Sequence, residues 1–138
     1  MTWNIDVDNG TIDLEVDQEP VWARVNYAQS WPEKRRDFRV VGLATEACDT
    51  FVIDDYCVQP SLYKSRSVKP QKVGDKWQYH VKMDAPEKGY LAFYLELKFD
   101  RKNTSGPNGL RLSSEMNVIP KGYPFEDCHG LECKGTLV

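Results

Sequence analysis

The 138-residue chain has no apolar run approaching the roughly 20 residues that a membrane-spanning helix requires. A basic excess is missing too: 18 Lys and Arg stand against 21 Asp and Glu, and a formal charge of −3 does nothing to neutralise phosphate. Nucleic-acid binding is therefore set aside, and no membrane insertion is expected. Only two histidines occur, with no Gly-x-Ser-x-Gly elbow, no phosphate-cradling glycine loop and no His-Glu-x-x-His pair. Without them, catalysis by this chain alone is not expected, and no catalytic residue or cofactor is assigned. No segment shows capped helical periodicity. The start, Met1-Thr2-Trp3, carries no charged and apolar leader.

What the chain does have is alternation. In Gly89 to Phe99, Leu91, Phe93, Leu95, Leu97 and Phe99 fall at every second position, so an extended backbone turns all five to one side. Burying each such side chain is worth roughly 1.5 to 3 kcal/mol. This is the central strand, with Ala92, Tyr94, Glu96 and Lys98 on its other face.

Trp3, Ile5 and Val7 alternate before Asn9-Gly10, the strongest short hairpin signal, and Ile12, Leu14 and Val16 alternate after it. The acidic residues here imitate a calcium loop, but the parity fails. Aligning Gly10 and Ile12 to their EF-hand places puts Ile5 and Val7 at ligand positions, so no metal site is assigned. A third strand runs from Val21 to Tyr27, and a fourth from Phe38 to Leu43 after the charged turn Glu33 to Asp37. The Lys34 to Arg39 cluster reads as a solvated turn rather than an anion site, because no glycine cradle accompanies it. Trp77, Tyr79, Val81 and Met83 make a fifth strand, Gly89 to Phe99 the sixth, and Leu110, Leu112, Ser114, Met116 and Val118 a seventh that stops at Pro120.

About seven short strands without helix predict an all-β fold, an antiparallel β-sandwich of immunoglobulin or fibronectin type III kind. The sandwich is expected over residues 1–125, followed by a cysteine-containing tail at 126–138. From Thr45 to Asp75 regular alternation fails, and the stretch reads as a long insertion in which Thr50 to Ile53 is a candidate short strand. Its basic set Lys64, Arg66, Lys69 and Lys72, together with Trp31, is the candidate partner-contact surface. Tyr90 or Tyr94, near the start of the sixth strand, reads either as a corner hydrogen-bonder or as a packing residue.

Four cysteines, Cys48, Cys57, Cys128 and Cys133, form an even set, and the sequons at Asn9 and Asn103 fall at turns. Together they favour an oxidising, extracellular setting, hence disulfides and glycosylation in an excised domain of a longer secreted protein. Zinc is not favoured, since Cys-x-x-Cys spacing is missing. In a fibronectin-like order the insertion and the tail leave the sandwich at opposite ends. That favours the local pairs Cys48 with Cys57 and Cys128 with Cys133, whereas an insertion folded down the side would permit the others.

Short words in order carry a family resemblance: Val21-Trp22-Ala23 ahead of Arg36-Asp37-Phe38-Arg39, Gly89 to Glu96, Ser113 to Pro120, and Pro124-Phe125. On these residues the chain resembles the C-terminal domain of the PhoPQ-activated pathogenicity-related proteins, a family that includes autocrine proliferation repressor-like secreted proteins. The resemblance implies an upstream α/β-hydrolase-like domain as a partner within the same protein, holding any nucleophile and histidine. The cysteine-bearing insertion and the tail depart from that pattern. The function expected is domain packing and contact with an extracellular protein or receptor. The alternative is a glycan-binding module using exposed aromatics such as Trp22, Trp31, Tyr63 or Trp77.

Overall fold

A computed structural model describes residues 1–30, 36–38, 41–43, 51–54, 56–58, 61–100, 109–122 and 129. Every regular element among them is a strand. In chain order they are β1 (Thr2–Asp6), β2 (Thr11–Val16), β3 (Trp22–Gln29), β4 (Val41–Leu43), β5 (Phe51–Ile53), β6 (Tyr56–Val58), β7 (Lys64–Ser67), β8 (Gln71–Val73), β9 (Lys76–Lys82), β10 (Leu91–Phe99), β11 (Leu110–Ser113) and β12 (Asn117–Ile119). Two antiparallel sheets make the sandwich. One runs β1-β2-β9-β8, the other β11-β10-β3-β7, with β12 also paired to β10. In immunoglobulin terms the first is the A-B-E-D sheet and the second is G-F-C, extended by β7 beside C.

The expected central strand is β10, and its odd positions from Leu91 to Phe99 are all buried. Opposite them lie Ile12, Leu14 and Val16 of β2 and Tyr79 and Val81 of β9, forming one core cluster with Ala23 and Val25 of β3. Burial pushes the Tyr79 phenol up to about 12, with the charge of Glu19 adding to the effect.

The β1–β2 hairpin closes at the pair Asp6 and Thr11, leaving Val7 to Gly10 as the turn rather than Val7 in the strand. The Asp6 carboxylate accepts from the Asn9 backbone N–H at 3.0 Å and from its side-chain amide at 2.7 Å. Gly10 has φ +64° and is buried against β9, where a Cβ would stand 2.2 Å from the Met83 carbonyl oxygen.

Three expectations change. Of the expected fourth strand, Phe38 is not in a strand, Arg39 and Val40 lie outside the described residues, and Val41–Leu43 form β4, which joins β5 and β6 in a small separate sheet ordered β4-β6-β5 rather than the sandwich. Within 45–75, β5 forms where Thr50 to Ile53 reads as a short strand, but β6 to β8 replace the expected irregular chain, and β7 and β8 are the outer strands of the two main sheets. Edge strands such as β7, exposed at all four positions, show no apolar period to read. The seventh strand is two. Ser113 pairs with Glu96 but Asn117 pairs with Phe93, so three residues oppose two and the strand carries a bulge. The bulge inverts the face: Asn117 and Ile119 turn inward, and Met116 is 45% exposed.

Side chains repair the break. Ser114 Oγ accepts from the Leu95 N–H at 3.1 Å, replacing a ladder bond. The buried Asn117 amide donates to the carbonyls of Asp6, at 3.3 Å, and Thr11, at 3.2 Å, tying β12 to the opposite sheet. Its Oδ1 has no partner among the described residues. Of the two tyrosines considered for a corner, Tyr90 is fully buried and its hydroxyl donates to the Gly122 carbonyl at 3.1 Å, downstream beyond β12.

Candidate protein-interaction face

Registration of β11, β10, β3 and β7 sets side chains in rows across the outward face of the larger sheet. Arg111, Lys98 and Trp22 form one row, and Ser113, Glu96, Arg24 and Ser67 the next. Tyr94, Asn26 and Ser65 form the third. In β3 and β10 these are the even positions, whose odd neighbours make the core; in β7 and β11 the parity is reversed.

Glu96 is the centre of the arrangement, its side chain 13% exposed. Its Oε2 accepts from Arg24 Nε at 2.9 Å and from the Asn26 amide at 2.9 Å, with Arg24 Nη2 at 2.8 Å. Asn26 Oδ1 in turn accepts from Ser65 Oγ at 2.6 Å, so the network spans three strands. On the other side, Arg111 Nη1 lies 3.6 Å from Oε1, an ion pair beyond hydrogen-bond length. Burial alone would raise the Glu96 carboxyl, but the hydrogen bonds from Arg24 and Asn26 and the charges of Arg24 and Arg111 outweigh it and hold it below the ordinary range.

Both guanidiniums reach one ring: Arg24 lies 4.6 Å and Arg111 5.6 Å from the centre of Trp22. The far end of the face is aromatic. Tyr63 meets Tyr94 at 6.2 Å, tilted by 57°, and its hydroxyl points at Met116 Sδ, 3.9 Å away. Aromatic rings and arginines around a desolvated polar centre are the composition that binding hot spots favour.

The expected contact residues lie elsewhere. Lys64 and Arg66 sit on β7, Lys69 in the link to β8, and Lys72 on β8, along one exposed flank of the sandwich. Arg66 reaches Met83 Sδ at 3.2 Å, and Lys72 Nζ lies 5.0 Å from the centre of the half-buried Trp77 ring. Trp31 and Asn103 fall outside the described residues, as do Cys48, Cys128 and Cys133; of Cys57 only the backbone, in β6, falls within them. Asn9 is exposed at the hairpin turn, its amide held by Asp6. Of the basic turn, Arg36 is described, 5.6 Å from the Tyr90 ring.

The smaller sheet has an outward groove of about 540 Å³ lined by Asn4, Asp13, Glu15, Gln71, Gln78 and His80. Its carboxylates are already paired. His80 Nδ1 lies 2.6 Å from Asp13 Oδ1, and Glu15 accepts from Gln78 at 2.9 Å and pairs with Lys76. The Lys76 hydrogen bond, then that from Gln78, lowers the Glu15 carboxyl.

Sequence reasoning named Trp22 but missed Arg24, Asn26, Glu96 and Arg111. The signal was their place on the polar sides of three strands, legible only once the pairing register is known. Among curated proteins, the chain is 26% identical over 136 residues to autocrine proliferation repressor protein A of Dictyostelium discoideum. The alignment covers 92% of this chain and 25% of that protein, so the chain spans about a quarter of the relative's length. No family model and no solved structure matches it.

Proposed function

We propose that this chain is a non-catalytic β-sandwich module of a longer secreted signalling or hydrolase-like protein, one related to the PhoPQ-activated pathogenicity-related group. It docks another folded unit through the outward face of β11, β10 and β3. The unit is the upstream part of the same protein or an extracellular receptor. The observation that carries this reading is Asn26, 5% exposed on the outward side of a sheet, joined to Glu96, Arg24 and Ser65 around Trp22. A network already desolvated and ordered loses little entropy on docking. The alignment with a quarter of a proliferation repressor supports a module rather than a whole protein.

The test uses the longer protein. Its remainder, produced separately, is titrated with this domain, and Trp22→Ala is expected to weaken binding by roughly thirtyfold, as for a hot-spot tryptophan. An unchanged affinity for both the remainder and extracellular receptor preparations removes the docking reading. Ester or peptide hydrolysis by the isolated domain, lost on replacing His80 or His129, removes the non-catalytic one.

A further inference from the structure

Charge on this face does not balance, and the imbalance is local. Outward positions of β3, β10 and β11 carry three cations, Arg24, Lys98 and Arg111, against the single carboxylate of Glu96. Arg24 spends its fork on Glu96 Oε2. Arg111 does not: among the described residues its nearest carboxylate oxygen is 3.6 Å away, its side chain is 59% exposed, and it leans over the Trp22 ring. Cross-strand pairing sets Lys98 beside both Arg111 and Trp22. The same end of the sheet exposes an apolar side chain, Val21 at 59%. Val21 is held there by its N–H to the Lys98 carbonyl at 2.6 Å.

We infer that this end of the face receives an acidic segment of a protein partner, an Asp or Glu carboxylate seated between Arg111 and Lys98 with an apolar neighbour against Val21. This inference rests on the docking reading above and specifies its chemistry. A guanidinium with unspent donors matches a carboxylate bidentately. Glu96 is the resident carboxylate that keeps Arg24 in place, and the incoming one completes the pairing of Arg111. A protein fits better than an acidic sugar, because the exposed neighbour Val21 is aliphatic and the Trp22 ring lies against guanidiniums rather than offering an open stacking face. With the whole chain at −3, attraction comes from this patch and not from net charge.

The probe is a short synthetic peptide in which two glutamates are flanked by leucines, with a glutamine counterpart, titrated into the 138-residue chain and followed by NMR. Expected are saturable shifts of the Trp22 indole N–H and the Arg111 Nε–H with the glutamate peptide and none with the glutamine one. Arg111→Gln should weaken binding on the order of tenfold, Arg111→Lys by less, and Lys64→Gln, on the flank, not at all. Melting temperatures of the variants confirm that they fold. Equal binding of the glutamine peptide, or no shift on this face, overturns the inference. So does tighter binding of a glucuronate oligosaccharide at the same residues, which assigns the patch to acidic glycans. Each of these leaves the Trp22→Ala result on the longer protein to decide the docking reading separately.

Discussion

A single missing methyl group at Gly10 lets the first hairpin lie against β9. The Asn9-Gly10 pair announces a turn in the sequence, but the demand for glycine comes from further away. The residue holds φ +64°, and an added Cβ would meet the Met83 carbonyl at 2.2 Å and Ile119 Cδ1 at 3.2 Å. The Gly10 carbonyl also accepts the Met83 N–H at 2.9 Å. Left-handed backbone costs a non-glycine residue about 1–2 kcal/mol, and the contact adds to that. Gly10→Ala should therefore lower stability by roughly 2–4 kcal/mol, seen as a reduced urea midpoint with little change in slope. An unaltered midpoint would show that the hairpin can lift from β9 at no cost.

Among the elements, β10 was legible because each of its inward positions is apolar and lands in the core. β2, β3 and β9 were legible for the same reason. β7 and β8 were not: all their positions are exposed, and cations and Pro70 replace an apolar period. Such charges on an outer strand discourage pairing with another chain, which gives Lys64, Arg66 and Lys72 a job in the fold itself. The bulge between β11 and β12 escaped because a simple alternation from Leu110 to Val118 hides a one-residue change of face. Its keystone is Ser114, whose hydroxyl serves the buried Leu95 N–H. Ser114→Ala leaves that donor unmet and should cost roughly 1–3 kcal/mol by chemical denaturation. Faster exchange of the Leu95 amide should accompany it, and a protected Leu95 would show that another acceptor takes over. The candidate face was half legible, as exposed aromatic and charged residues, while its network depended on partners some 70 positions apart in sequence, such as Arg24 and Glu96.

At the scale of the whole molecule, the network writes a pH dependence into stability. The folded Glu96 carboxyl titrates below its ordinary 4.5, so the unfolded chain takes up the proton first as pH falls. Its contribution is complete above about pH 4.5 and is lost as pH drops through the lower folded value. Asp6, through its Asn9 hydrogen bonds, and Glu15, chiefly through Lys76, act in the same direction. Denaturation curves taken between about pH 5 and about pH 3 should fall less steeply for Glu96→Gln than for the natural chain. Parallel slopes would mean that Arg24 and Arg111 do not hold the charge. The two long flanks of the sandwich, finally, are shut by different means. On one, residues 68–70 carry the chain from β7 in one sheet to β8 in the other. On the opposite flank the sheets meet through the Asn117 amide and the exposed pair of Lys121 and Asp8 at 3.1 Å. The domain is thus bound like a book, with its spine along β7 and β8 and its fore-edge clasped at β12.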